Sequence, residues 1–588
     1  MVKKQLGGFG LKNSFIASKY YSMLVSGTLM MLLVSVMSVI DTLIAGVLNG
    51  EYMVDGICLV LPIYSFASFI SVFFSYGTAI LYAEKNGAFK SEDANRIFGV
   101  GLTMIFMMGV IMFLAVSAGG DAYLKMYAAN EQIYSYAKDY LSWMKYVVLI
   151  LPLNELLDGM LFADGDEKIA LWGNVVQGVL KLSVSYVLCG VMGVKGLAIG
   201  SVISLVAAIS VLCIHFFTPG NTMRPHIAFS FKIALDILKF GIVDGSTHLF
   251  VSLFLIILNF FVIKRFGIEM LIMVSVITLL KESQIIFEGI GEAITPLIST
   301  YLGEENYPGI KAVWRLAFKS LLIESVFFTL FFIAFAHYVP GILGIRDAAA
   351  ANYAIWGLRI LSLTLLFTCW LFLDSSYFIL VDKIPLGIFG SFLRDLFPAV
   401  PFALLGGIFF GVYGMFIGLM AAQPVGYLIS VFYIKKKYGK ENYPLFIADK
   451  ERNRNQRLFE FAVLPDKIVS VRDEIGEALN EFCDTNQINR VMVIFEELFM
   501  LIYDKNKGRN VRAECMVEIG DTVRLITKDD GQIVDLTNSD LNVTSLRSYT
   551  LSNLLCAHTV KRIHHLVLSY NRNMIEVKAS KKDDVKKR

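Results

Sequence analysis

The chain has 588 residues, 56% hydrophobic and 18% charged, with a net charge of +3; a soluble domain is roughly 45–50% apolar and about 25% charged. A soluble enzyme of this length is therefore excluded, and so small a net charge gives no signal for nucleic acid. Seven cysteines without a CxxC pair argue against a disulfide framework or a thiolate metal cage.

A membrane span needs about 20 mostly apolar residues. Such runs fall near 17–46, 54–83, 97–118, 134–162, 168–190, 194–217, 233–264, 268–299, 312–338, 350–379, 384–408 and 411–435, so twelve transmembrane helices are expected. The first run is long and leads into further spans, unlike a cleavable signal peptide. Lysine and arginine in short loops set the orientation. One side carries Lys3, Lys4, Lys12, Lys85, Lys90, Arg96, Lys168, Arg224, Lys232, Lys311, Lys383 and Lys435–Lys437; the other has Lys125, Lys195, Lys264, Arg265 and Arg346. Both termini are expected in the cytoplasm, as an even span count also requires.

Composition changes after Lys437. From about residue 451 the chain is charged, with alternating stretches such as "AECMVEIG" and "VRLITKDDG" beside helical ones, as in a soluble α+β module. The expected organisation is two six-helix lobes (1–218 and 219–440), a linker (441–460), a cytoplasmic domain (461–580) and a solvated charged end (581–588).

The membrane part repeats. "GVKGLAIG" (193–200) returns as "GVYGMFIG" (411–418), "DEKIALWG" (166–173) as "VDKIPLGIFG" (381–390), Asp158 as Asp374 and Gly87 as Gly303, all about 216 residues apart. Six spans per copy is even, so the copies cross the bilayer in the same sense, as in alternating-access carriers with a cavity between two bundles.

Three phrases carry a resemblance: "VIDTLIAG" in the first helix, "YAEKNGAFKSEDANRIFGVG" after the second and "MGVKGLAIGSVIS" after the fifth. In their order and spacing, residues 15–437 resemble the multidrug and toxic compound extrusion (MATE) family of the MOP superfamily. The resemblance implies two six-helix lobes exporting organic cations or other amphipathic compounds in exchange for protons or sodium.

Charge inside a span costs about 3 kcal/mol and marks function. Asp41 matches the family's first-helix Asp, which the resemblance implies is ion- or proton-responsive; the alternative is a hydrogen-bonded structural Asp. Many relatives complete that site with an Asn and an Asp on the fifth helix. Here those positions are Val179 and Ser183, with Lys181 nearby, and an Asp41–Lys181 pair would weaken Asp41 as a proton carrier. In the second lobe Lys281, Gln284, Glu288 and Glu292 recur at helical steps on one stripe, expected to line water; otherwise Lys281 merely pairs with Glu288. The seventh span adds Asp244 and His248 on one face, and the tenth adds Asp374. Asp244, Glu288, Glu292 and Asp374 are expected to form an acidic chamber for a cation. Arg394, beside Asp395, is the strong basic candidate of the eleventh span.

"VMVIFEELFMLIYDKN" and "VRLITKDDGQIVDLTN" resemble the GHKL-type ATPase fold of anti-sigma factors and histidine kinases over residues 461–580. Carried across, Glu497 stands at the general-base position, and Asp529 with Gly531 matches half of the adenine-binding DxGxG loop. Leu501 replaces the magnesium-binding Asn, Ile533 the second Gly, and the lid glycines are absent. Kinase activity is not expected, and nucleotide binding through Asp529 stays open beside a regulatory or dimerising role. His558, His564 and His565 have no ligand partners at metal spacing.

No P-loop is present, so ATP does not power transport. The reading is a secondary active exporter of a bacterial inner membrane, moving a small cationic or amphipathic compound in exchange for H+ or Na+, with no cofactor required. A cytoplasmic protein partner or a homodimer through residues 461–580 stays open. The rivals are a lipid-linked saccharide flippase, whose pyrophosphate would want arginines in the cavity, and a transporter-like receptor signalling through the cytoplasmic domain.

Overall fold

The computed structural model describes residues 14–48, 51–127, 131–267, 270, 272–342, 345, 348–439, 443, 455–480, 482–520, 522–534, 551, 560–568 and 570–578. Long apolar runs become helices because lipid offers the backbone no hydrogen-bond partner. In chain order these are α1 (Phe15–Leu48), α2 (Glu51–Gly87), α3 (Ser91–Tyr127), α4 (Glu131–Asp164), α5 (Glu167–Met192), α6 (Val194–Leu212), α7 (Phe231–Phe266), α8 (Ile272–Ser283), α9 (Ile285–Gly303), α10 (Tyr307–Phe335), α11 (Val339–Ile342), α12 (Ala348–Ser362), α13 (Leu365–Leu380), α14 (Ile384–Asp395) and α15 (Ala399–Tyr438). Among the described residues eight helices are long and apolar enough to cross a membrane, or nine if the bent pair α12–α13 is one span.

Three expected spans are not continuous. The 268–299 run breaks at Gln284 between α8 and α9, the 350–379 run bends by 47° between α12 and α13, and the 384–408 run breaks between α14 and α15. Local chemistry accounts for each. Ser283 and Thr364 hydroxyls donate back to the carbonyls of Leu280 and Leu361, both at 2.6 Å, competing with the helical ladder. Pro398 has no N–H and disfavours helix at the residue before it.

Helices α3–α6 pack chiefly within the first bundle and α10, α12, α13 and α15 within the second, whereas α1, α7 and α9 also pack heavily across the two. The sequence repeat is visible in the backbone. Repeat mates Gly193 and Gly411 both turn left-handed, at φ 63° and 68°, as do Phe89 and Glu305, at 61° and 58°. The two bundles meet where α1 and α2 pack on α7 and α9. Small residues make that seam: a Cβ on Gly77 would lie 2.2 Å from the Ile237 carbonyl oxygen, and one on Gly87 2.2 Å from that of Thr300. All these positions lie in the halves of the helices nearest the carboxy-terminal domain, so the bundles are closed on that side.

The carboxy-terminal domain is a two-layer unit. Strands β1 (Gln456–Ala462), β2 (Arg512–Ile519), β3 (Thr522–Asp529), β4 (Val560–Val567) and β5 (Tyr570–Lys578) form an antiparallel sheet in the order β1-β2-β3-β5-β4. The sheet begins at Gln456, inside the stretch read from sequence as linker. Side chains alternate across a strand. One face, with Phe461, Cys515, Val517, Leu525 and Ile575, packs under α16 (Pro465–Leu479) and α17 (Thr485–Lys505). The other carries a cross-strand row, Glu460–Glu514–Lys528–Arg572, and it is buried against the helical bundles.

Candidate functional site

Each bundle holds a cavity. The first is lined by Asp41, Tyr64, Tyr140, Gln177, Lys181 and Ser201 among others. Tyr140 donates its hydroxyl to Asp41 Oδ2 at 2.7 Å, Ser201 donates to the same oxygen at 3.3 Å, and Lys181 Nζ lies 3.5 Å from it. Lys181 also donates to the Met37 carbonyl at 3.0 Å, which anchors it to α1. Asp41 Oδ1 is buried with no partner among the described residues. Val179 and Ser183 are exposed on the outer face of α5. The face toward Asp41 instead carries Gln177 and Lys181, one helical turn apart.

The second cavity is lined by Lys281, Gln284, Thr364, Thr368, Arg394 and Gln423 with an apolar wall that includes Phe254. Asp395 holds both cations: Arg394 donates Nε and Nη2 to Oδ2 at 2.9 and 2.7 Å, and Lys281 Nζ lies 3.3 Å from Oδ1.

The expected acidic chamber is not assembled among the described residues. The break at Gln284 divides the stripe: Lys281 and Gln284 face the second cavity, whereas Glu288 is exposed. Lys281 pairs with Asp395 rather than Glu288. Glu292 borders the seam, where a Cβ on Gly27 would lie 3.2 Å from its own Cβ. Asp374 is buried near the domain side and accepts from Tyr443 at 3.2 Å. Asp158, its repeat mate, accepts from Asn174 at 2.9 Å. The side chains of Asp244 and His248, and the whole of His558, lie outside the described residues.

In the carboxy-terminal domain Asp529 is fully buried. Its Oδ1 accepts the Gly531 N–H at 3.0 Å and its Oδ2 the Asn571 side chain at 2.9 Å. Burial lifts its carboxyl to about 7 against those two donors. Asn506 accepts the Gln532 N–H at 2.9 Å, and a Cβ on Gly531 would lie 2.7 Å from Asn506 Nδ2. Both oxygens of Asp529 are thus committed to its own loop and to β5. Glu497 is half-buried on α17.

Residues 28–187 match the MatE family model. The chain is 22% identical over 379 residues to the multidrug export protein MepA of Staphylococcus aureus, covering 62% of this chain and 81% of that protein. With MepA of Staphylococcus saprophyticus it shares 22% identity over 347 residues, 57% of this chain and 75% of the other. An outward-facing multidrug resistance MATE family transporter of the MOP superfamily superposes with a TM-score of 0.65 at 20% identity, over 74% of this chain and 99% of that one. A MOP superfamily transporter from Pyrococcus furiosus, described as having a binding pocket of reverse polarity, gives 0.63 at 19% identity over the same shares. The helical part of the chain has the MATE transporter fold.

The sheet domain is seated on this MATE part through buried charge. Arg572, fully buried, donates Nη1 to Glu304 Oε1 and to the Gly87 carbonyl, both at 3.0 Å, and Nη2 to the Asn86 carbonyl at 2.7 Å. Its guanidinium also lies 3.8 Å from the Phe89 ring. One side chain therefore touches both bundles. Lys528 donates to Glu304 Oε2 at 2.7 Å and lies 3.4 Å from Glu514. Glu514 accepts from Tyr301 at 2.6 Å and Asn306 at 3.1 Å. Glu460 accepts from the Ser14 hydroxyl and the Ile16 N–H at the start of α1, each at 2.8 Å. Burial, with Glu304 nearby, raises the Glu514 carboxyl to about 7, although Lys528 opposes the rise.

Sequence reading missed Tyr140 and Ser201 around Asp41, and the Arg572–Glu304 pair. Tyrosine and serine in apolar helices give no signal of direction. Arg572 and Glu304 lie on different domains, so no spacing relates them.

Proposed function

We propose that the chain is a secondary active exporter that moves amphipathic small molecules out of a bacterial cell in exchange for protons or sodium ions. The observation that carries this reading is Asp41: a buried carboxylate with one unpartnered oxygen, in a cavity of the MATE fold, whose other oxygen is shared by Tyr140, Ser201 and Lys181. A proton or a sodium ion arriving at Oδ1 weakens the hold of Lys181 on Asp41, and release of that pair lets α1 and α5 shift. The lysine-rich domain side is the cytoplasmic one in this reading, following the loop charges.

The sheet domain is read as an ATPase-like fold that has given up nucleotide and serves as a cytoplasmic clamp. Its charged face bridges the Gly87 loop of the first lobe and the Gly303 loop of the second, the two loops that must part when the cytoplasmic side opens. Support comes from Arg572, which holds both loops at once.

The test is efflux of a fluorescent amphipathic dye from everted vesicles under a proton or a sodium gradient, for wild type and Asp41→Asn. Gradient-driven flux that falls to background in the variant, at equal membrane insertion, is expected. Flux that no gradient drives, or that Asp41→Asn leaves intact, would overturn the reading.

A further inference from the structure

The second-lobe cavity differs from the first in both charge and backbone. Three spans break beside it: Gln284 at the α8–α9 break, Thr364 at the α12–α13 bend and Ala399 at the start of α15 all line it. Non-helical backbone within a membrane persists where it lines a cavity, and discontinuous helices mark carrier binding sites. From the domain-side end of α14 to Asp395 is twelve residues, or roughly 18 Å of helix at about 1.5 Å per residue. The cavity therefore lies well inside the bilayer.

Charges at that depth face inward and pair. Here two cations share one carboxylate, which leaves one positive charge in surplus. Donor capacity is in surplus as well. Arg394 uses Nε and Nη2 on Asp395, with Nη2 also 3.5 Å from Thr247 Oγ1, so its Nη1 has no partner among the described residues. Among the described residues Lys281 makes a single hydrogen bond, to Asp395 at 3.3 Å. Gln423 donates its amide N–H to the Arg394 carbonyl at 3.0 Å, and its Oε1 has no partner among the described residues.

The Phe254 ring, 4.7 Å from Lys281 Nζ, gives the cavity an apolar wall.

We infer that this cavity is an oxyanion subsite: Arg394 and Lys281 bind the carboxylate or phosphate head of an amphipathic cargo, whose apolar part lies along the Phe254 wall. This rests on the exporter reading and deepens it, giving the cargo an anionic or zwitterionic head. Asp395 is a positioning residue, holding the two cations apart and aimed.

Binding to the full-length protein in phosphatidylcholine nanodiscs tests it without transport. The probes are dansyl-undecanoate and a dansyl alkyl-trimethylammonium of the same length. The expected result is that the carboxylate probe binds more tightly than the ammonium probe. Arg394→Gln and Lys281→Gln should each weaken the carboxylate probe at least about tenfold, the loss of one charge-assisted contact, and leave the ammonium probe within twofold. Displacement by phosphatidic acid placed in the nanodisc assigns the head to a lipid; displacement only by a soluble carboxylate amphiphile assigns it to a free cargo. Because Arg394→Gln alone strips Asp395 of its main partner, the neutral pair Arg394→Gln/Asp395→Asn is measured as well and should show the same loss. Equal binding of the two probes by wild type, or unchanged carboxylate binding in folded Lys281→Gln and in the double variant, would overturn the inference. Dye efflux lost in Asp41→Asn together with absent oxyanion binding would leave the exporter reading standing and remove only this subsite.

Discussion

Asp41 and Arg572 show how burial decides what a charge does. Asp41 keeps an oxygen with no partner among the described residues, beside Lys181, which is what the proposed exchange of a proton or ion requires. Arg572 has no such freedom: its Nη1 and Nη2 meet two carbonyls and Glu304 with no solvent exposure. Arg572→Ala would strand those acceptors and is expected to weaken domain seating by about 3–5 kcal/mol, the range for breaking a buried pair. Limited proteolysis near residue 455 would report it, and cleavage no faster than in wild type would refute it. Glu514 supplies a pH dependence. Its carboxyl sits near 7 when docked and at the ordinary 4.5 when free. Docking therefore takes up a proton between those values: the contribution of Glu514 to seating is full below pH 4.5 and is lost as pH rises through 7. Hydrogen exchange of β2, corrected for intrinsic rate, is expected to be faster at pH 8 than at pH 6, and Glu514→Gln should flatten the difference.

At the scale of elements, the glycine seam and the sheet face matter most. Helices in lipid gain little from apolar contact and associate through close backbone approach at small residues. Gly77 and Gly87 lie so near facing carbonyls that an added methyl has no room. Gly77→Ala is expected to cost about 1–3 kcal/mol of closed state, as overpacking does. It should raise labelling of domain-side cysteines by an impermeant thiol reagent; labelling unchanged from wild type would count against a closed seam. The sheet shows why pattern reading went only part of the way. The alternation in "AECMVEIG" gives a strand with Cys515 and Val517 on one face and Glu514 and Glu518 on the other, and the structure has that strand. The charged face reads as solvated, yet it is buried because the loops carrying Glu304 and Asn306 complement it.

For the molecule as a whole, the domain spans both lobes at the side where they are closed. Clamping there favours the state whose opening faces the opposite side, since a contact made in one state alone shifts the balance by its own free energy. Removing residues 455–588 is expected to raise domain-side access and change dye-efflux turnover, with Asp41-dependent coupling retained. Efflux and access both identical to wild type would mean the domain does not clamp.

The sequence by itself determined the membrane class, the internal repeat, the change to an α+β domain and the place of Asp41, because these follow from local hydropathy, from recurrence and from a charge where lipid forbids one. Lys181 beside Asp41 was also legible, through its place next to the fifth-helix positions that the family resemblance points to. Only the tertiary structure decided that Lys281 turns to Asp395 instead of Glu288, that three spans break around one cavity, and that the charges of the sheet are interior. Spacing along a chain relates residues on one element; which charges meet across elements depends on where helices break and how bundles and domains are placed against one another.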